Sequence, residues 1–141
     1  MALVWIACSA SACSKRTVAT TRFGDDSISS SRTYVDGVLD GPFQLFHPGG
    51  QAHVECSYVD GLREGRFSAW FPNGARVATG SYARGLRVGE WSEWTVDGLP
   101  LTSGSYTAGD KDGVWILYDD LGRAQYEDTW KCGTRLSRAT R

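Results

Sequence analysis

The chain has 141 residues, enough for one domain that buries a core. Its 17 glycines, 6 tryptophans and 6 tyrosines against a single methionine favour turns and aromatic-rich strands, and exclude a fold built on long helices. A formal net charge of −1 excludes a nucleic-acid binder that works by neutralising phosphates over its whole surface.

In residues 1–13 the apolar run Ala2 to Ala7 is far shorter than the roughly 20 residues that span a bilayer as a helix. The small residues Ser9, Ala10, Ser11 and Ala12 follow, then Cys13, which reads as a signal peptide with small residues at its cleavage site. Ala10-Ser11-Ala12-Cys13 also resembles the bacterial lipobox. That resemblance implies lipidation at Cys13, contact with a membrane through the lipid, and a place in the bacterial cell envelope. Ala10 stands where Leu is usual and no Lys or Arg follows Met1, so a cytoplasmic N-terminus remains the alternative. Residues 14–33 are read as a linker or an N-terminal cap.

From Tyr34 onward a unit of fixed length recurs, starting at Tyr34, Tyr58, Tyr82 and Tyr106. It runs Tyr-x-x-Gly-x-x-x-Gly-x-aromatic-x-x-aromatic-x-x-x-Gly and closes on Ser or Thr. The copies are 34–57, 58–81, 82–105 and 106–129, with a partial copy at 130–133. Within each, the aromatic pair is Phe43 and Phe46, Phe67 and Trp70, Trp91 and Trp94, or Trp115 and Tyr118. Held over every copy, the pattern marks a tandem array. Pro72-Asn73-Gly74 and Val96-Asp97-Gly98 predict tight hairpin turns with positive φ at both central residues. The other connection, as in Gly61 to Gly65, is expected to be a longer turn. Each unit then makes one β-hairpin. The fold class is all-β, a tandem-repeat antiparallel β-hairpin meander in an elongated single-layer sheet, with each repeat adding roughly 10 Å.

The run Gly-x-Trp-x-x-Trp-x-x-x-Gly followed by Tyr-x-x-Gly resembles the MORN-repeat variant of bacterial proteins, over residues 34–133. The resemblance implies an elongated single-layer β sheet and, because many such proteins are labelled antitoxins, a neutralising role as an alternative function. The two aromatics of a unit stand three apart, so they are expected on opposite sides of the sheet, one set stacking as core. Trp70, Trp91, Trp94, Trp115 and Tyr118 are the candidate packing or binding ladder.

No reactive constellation emerges, and no cofactor or metal site is assigned. His47 and His53 recur in no other copy and read as surface or packing residues. Ser57, Ser81, Ser105 and Thr129 recur as part of the strand pattern rather than as nucleophiles. Carboxylates gather near the turns, as in Asp36 and Asp40 or Asp60 and Glu64. The third copy has Arg84 and Val88 in those places, which argues against a repeated calcium site. Cys56 and Cys132 would lie roughly 30 Å apart across the strands, too far for a disulfide. Residues 134–141 are expected to be a solvated basic tail. The combined reading is a non-catalytic, protein-binding or scaffold repeat protein with no nucleic-acid partner.

Overall fold

The computed structural model describes residues 14–141, so the lipidation expected at Cys13 falls outside the described residues. Eleven strands follow one another: β1 (Arg16–Arg22), β2 (Ile28–Val35), β3 (Val38–Phe46), β4 (Ala52–Val59), β5 (Leu62–Trp70) and β6 (Arg76–Ala83), then β7 (Leu86–Trp94), β8 (Pro100–Thr107), β9 (Asp110–Tyr118), β10 (Ala124–Lys131) and β11 (Thr134–Thr140). They form one antiparallel sheet in chain order, the meander that the repeat implies. The array extends past both ends of the repeats. Residues read as a linker or cap supply β1 and most of β2, paired from Arg16–Val35 to Arg22–Ile28. The expected solvated tail is strand β11, paired with β10 from Lys131–Thr134 to Tyr126–Thr140. Its Arg135 and Arg138 pair with Asp128 of β10.

The two kinds of turn are the reverse of the sequence expectation. Positive φ at both central residues occurs where a longer turn was expected, at Asp60 and Gly61 (48° and 79°) and at the equivalent pairs Asp36-Gly37, Arg84-Gly85, Ala108-Gly109 and Cys132-Gly133. These are two-residue turns whose twist matches that of the flanking strands. At Asn73-Gly74 only the glycine has positive φ, 83°. Phe71 N–H donates to the Ala75 carbonyl and Gly74 N–H to the Phe71 carbonyl, a three-residue loop with its glycine at the bulge. Asn73 serves through its side chain, accepting from Ala75 N–H and donating to the Val96 carbonyl of the next unit.

Successive tight turns are clamped together. The glycine N–H of each donates to a carbonyl one unit back, Gly61 to Leu39, Gly85 to Arg63 and Gly109 to Arg87, at 2.8 to 2.9 Å. Asp40 and Glu64 reinforce the clamp by accepting from the backbone N–H of Asp60 and Arg84. Asp36, Asp40 and Glu64, three of the carboxylates that suggested calcium, thus accept from backbone N–H groups.

A single layer has only its own side chains for a core. Trp91 and Trp115, each 2% exposed, form the buried core with Tyr82, and Phe67, Tyr106 and Trp130 pack against it. Consecutive rings meet edge to face, with centroids 5.2 Å apart for Tyr82–Trp91, 6.0 Å for Trp91–Tyr106 and 5.0 Å for Tyr106–Trp115. Both indoles also donate to backbone, Trp91 to Ser81 and Trp115 to Ser105. Each lies flat on a glycine of the preceding strand, Gly80 or Gly104.

Candidate functional site

Residues directly opposite each other across two strands share a face. Register therefore sorts the sheet into a face that carries the tryptophan core and a reverse face. Across four of the five tight turns an aromatic opposes a cation on the core face, Tyr58 and Arg63, Tyr82 and Arg87, Tyr106 and Lys111, and Trp130 and Arg135, whereas across the first Tyr34 opposes Leu39. The cation lies over the rings. Arg63 sits above Tyr82, Arg87 above Trp91 at 4.3 Å, and Lys111 above Trp115 at 4.0 Å and Trp130 at 5.0 Å. Arg63 also donates to the Tyr82 hydroxyl and Arg87 to the Tyr106 hydroxyl. Where the next aromatic is Trp130, which has no oxygen to accept, the cation is a lysine.

The faces carry opposite charge. Arg32, Arg63, Arg87, Lys111, Arg135 and Arg138 lie on the core face, opposed there by Glu93 and Asp128. The reverse face presents Glu55, Glu64, Glu90, Asp112 and Glu127, with the cations Arg66 and Lys131 beside them, among a row of small polar residues, Ser68, Thr79, Ser92 and Ser103, set opposite one another on β5 to β8. Asp128, 2% exposed, is gripped by Arg138 through two bonds of 2.6 and 2.8 Å. Those hydrogen bonds and the nearby Arg138 and Arg135 charges hold its carboxyl below the usual range despite burial.

Two clefts, each of about 440 Å³, lie side by side on the core face and meet at Leu101. The first is bounded by Phe71, Val77, Ala78, Trp91, Trp94 and Arg87. Leu117, Tyr118, Tyr126, Trp130 and Lys111 bound the second, with Arg135, Arg138 and Asp128 beside them. Bulges shape both. Val77, Leu101 and Gln125 are skipped by the pairing of their strands, and all three line the clefts.

Trp91 and Trp115 are core, as expected of one set. Tyr118 follows the expected separation, its hydroxyl meeting that of Ser103 on the reverse face at 3.2 Å. Trp94 and Tyr118 each also border a cleft beside the bulged residue of the neighbouring strand, Leu101 or Gln125. Trp70 is half-buried and offers its carbonyl to His47 Nε2 at 2.8 Å. His47 and His53 stack at 4.2 Å, and burial, with a smaller contribution from His47, pulls His53 below its ordinary pKa. Cys56 is buried and free, its thiol pushed up by burial, and Cys132 is exposed at a turn. The cation opposite Tyr58, Tyr82, Tyr106 and Trp130 was missed from sequence. Its signal was the sixth position of the unit, where Arg63, Arg87, Lys111 and Arg135 recur.

No family model matches the chain, and no curated protein matches it.

Proposed function

We propose that this chain is a non-catalytic protein-binding module of MORN-like repeat type, holding a partner against its aromatic and cationic face. The two adjoining clefts carry the reading: concave, bordered by apolar side chains, and flanked by cations. A sheet face of this kind, with no second layer over it among the described residues, is a surface suited to another molecule. The recurring groups are stacked cations and rings, a recognition set rather than a nucleophile beside a base. Attachment to the bacterial envelope through a lipid on Cys13 is compatible with that use. Cys13 precedes the edge strand β1, whereas the clefts begin at β5, about 20 Å away across the strands.

The test is capture of the partner from native extracts with three variants, Arg87→Met, Lys111→Met and Arg66→Met on the reverse face. Binding is expected to fall about tenfold for the first two and to hold for the third, since each core-face cation contributes about 1.4 kcal/mol. Equal retention by all three would refute the face. Mass spectrometry of the native product checks the anchor, with a lipid-modified N-terminal Cys13 expected and an unmodified Met1 terminus excluding it.

A further inference from the structure

The cations of the core face are not equally satisfied. Arg63 and Arg87 donate to tyrosine hydroxyls, Arg87 lies 3.8 Å from Glu93, and Arg135 and Arg138 share Asp128. Among the described residues the Lys111 ammonium rests only on the rings of Trp115 and Trp130, with no carboxylate in ion-pair contact. Beside it the buried Trp130 Nε1 has no acceptor. An ammonium without a carboxylate partner is a donor in want of an acceptor, and in the second cleft that donor is Lys111. An incoming carboxylate supplies that acceptor and matches the sign of the face.

Spacing and backbone chemistry say how the carboxylate is carried. Arg87 on β7 and Lys111 on β9 are two strands apart, about 10 Å, and the two clefts repeat at the same step. Seven residues of α-helix rise about 10.5 Å. An extended chain laid across the strands would leave its own N–H and C=O groups unpaired over an apolar surface, because the sheet's backbone groups are already used in its ladders. A helix pairs its backbone internally.

We infer that the core face takes an acidic amphipathic helix of a partner protein, lying across β5 to β11 with carboxylates a heptad apart on Arg87 and Lys111 and apolar side chains in the two clefts. This rests on the binding reading above and gives the partner its chemistry.

The probe is a synthetic capped peptide of three heptads, with Glu at every seventh position and Leu at the third and fourth positions after each. A peptide of the same composition in shuffled order, and polyglutamate, are the comparisons. Titration of the full chain is followed by peptide anisotropy. The phased helix is expected to bind at least about tenfold more tightly than the shuffled one, to weaken with added salt, and to lose about tenfold on Lys111→Met, whose side chain keeps the packing on Trp115 and Trp130. Arg66→Met binds as the parent does. Equal binding of phased and shuffled peptides overturns the inference, as does a Lys111→Met protein with unchanged melting and unchanged affinity. Polyglutamate competing as well as the helix overturns it in favour of a bare polyanion. If the helix fails while native capture still depends on Arg87 and Lys111, the helix is wrong and the binding face stands.

Discussion

A methyl group at Gly104 would lie 2.3 Å from Trp115 Cδ2, and one at Gly80 would lie 2.1 Å from Trp91 Cε2. Neither glycine has positive φ, so each is required by what lies on it. Gly98 is the opposite case, with φ 81° and open space around it. Gly104→Ala must push a fully buried indole off its seat and should cost about 3 kcal/mol, whereas Gly98→Ala bears only the left-handed penalty of about 1 kcal/mol. Urea melts of the two variants check the order, and a Gly98 variant as unstable as the Gly104 one would contradict it. Turn glycines are legible from sequence because their neighbours are turn residues. Gly80 and Gly104 are legible only by reading across units: small residue and aromatic change together, Cys56 with Phe67, Gly80 with Trp91, Gly104 with Trp115. Each partner belongs to the following copy, so no local window contains the reason.

At the scale of the element, the tight turn places a non-glycine residue in the left-handed region in every copy. Asp36 and Asp60 tolerate it, but Arg84 at φ 48° and Ala108 at φ 50° have no side chain that favours it. Arg84→Asn should therefore stabilise the chain by about 1 kcal/mol, since the Arg84 N–H that donates to Glu64 is kept. A thermal melt reads this as a rise of a few degrees, and an unchanged or lower midpoint would mean that the arginine side chain matters there. Strand number and order follow from the period, which is why the meander was legible. Turn type was not, because Asn73-Gly74 is the stronger dipeptide signal while Arg84, Ala108 and Cys132 disguise the real two-residue turn. The bulges at Val77 and Leu101 were equally hidden, and both side chains line the clefts.

For the molecule as a whole, units contact only their neighbours, so stability is a sum of unit and interface contributions. Removing residues 82–105 joins Ser81 to Tyr106, sets Trp115 on Gly80 and gives Arg63 the Tyr106 hydroxyl in place of Tyr82. The shortened chain should fold with a single cooperative transition at lower denaturant concentration, read by circular dichroism. A broad or absent transition would show that the units are not interchangeable. The candidate face was only half visible in sequence. Its aromatics stood out, whereas its cations were lost in a net charge of −1, because acids in the turns and on the reverse face offset them. Only strand register separates the two signs.

Asp128 gives this interchangeability a direction. It holds the place in its unit that Gly80 and Gly104 hold in theirs, and where the next indole would lie it presents a carboxylate clasped by Arg138. Duplication within the array reproduces seats that already accept a tryptophan. A copy appended after Thr129 would find its seat taken by charge. Seats for an indole are therefore interchangeable in the middle of the array, while Asp128 fills the corresponding place on β10 with a carboxylate.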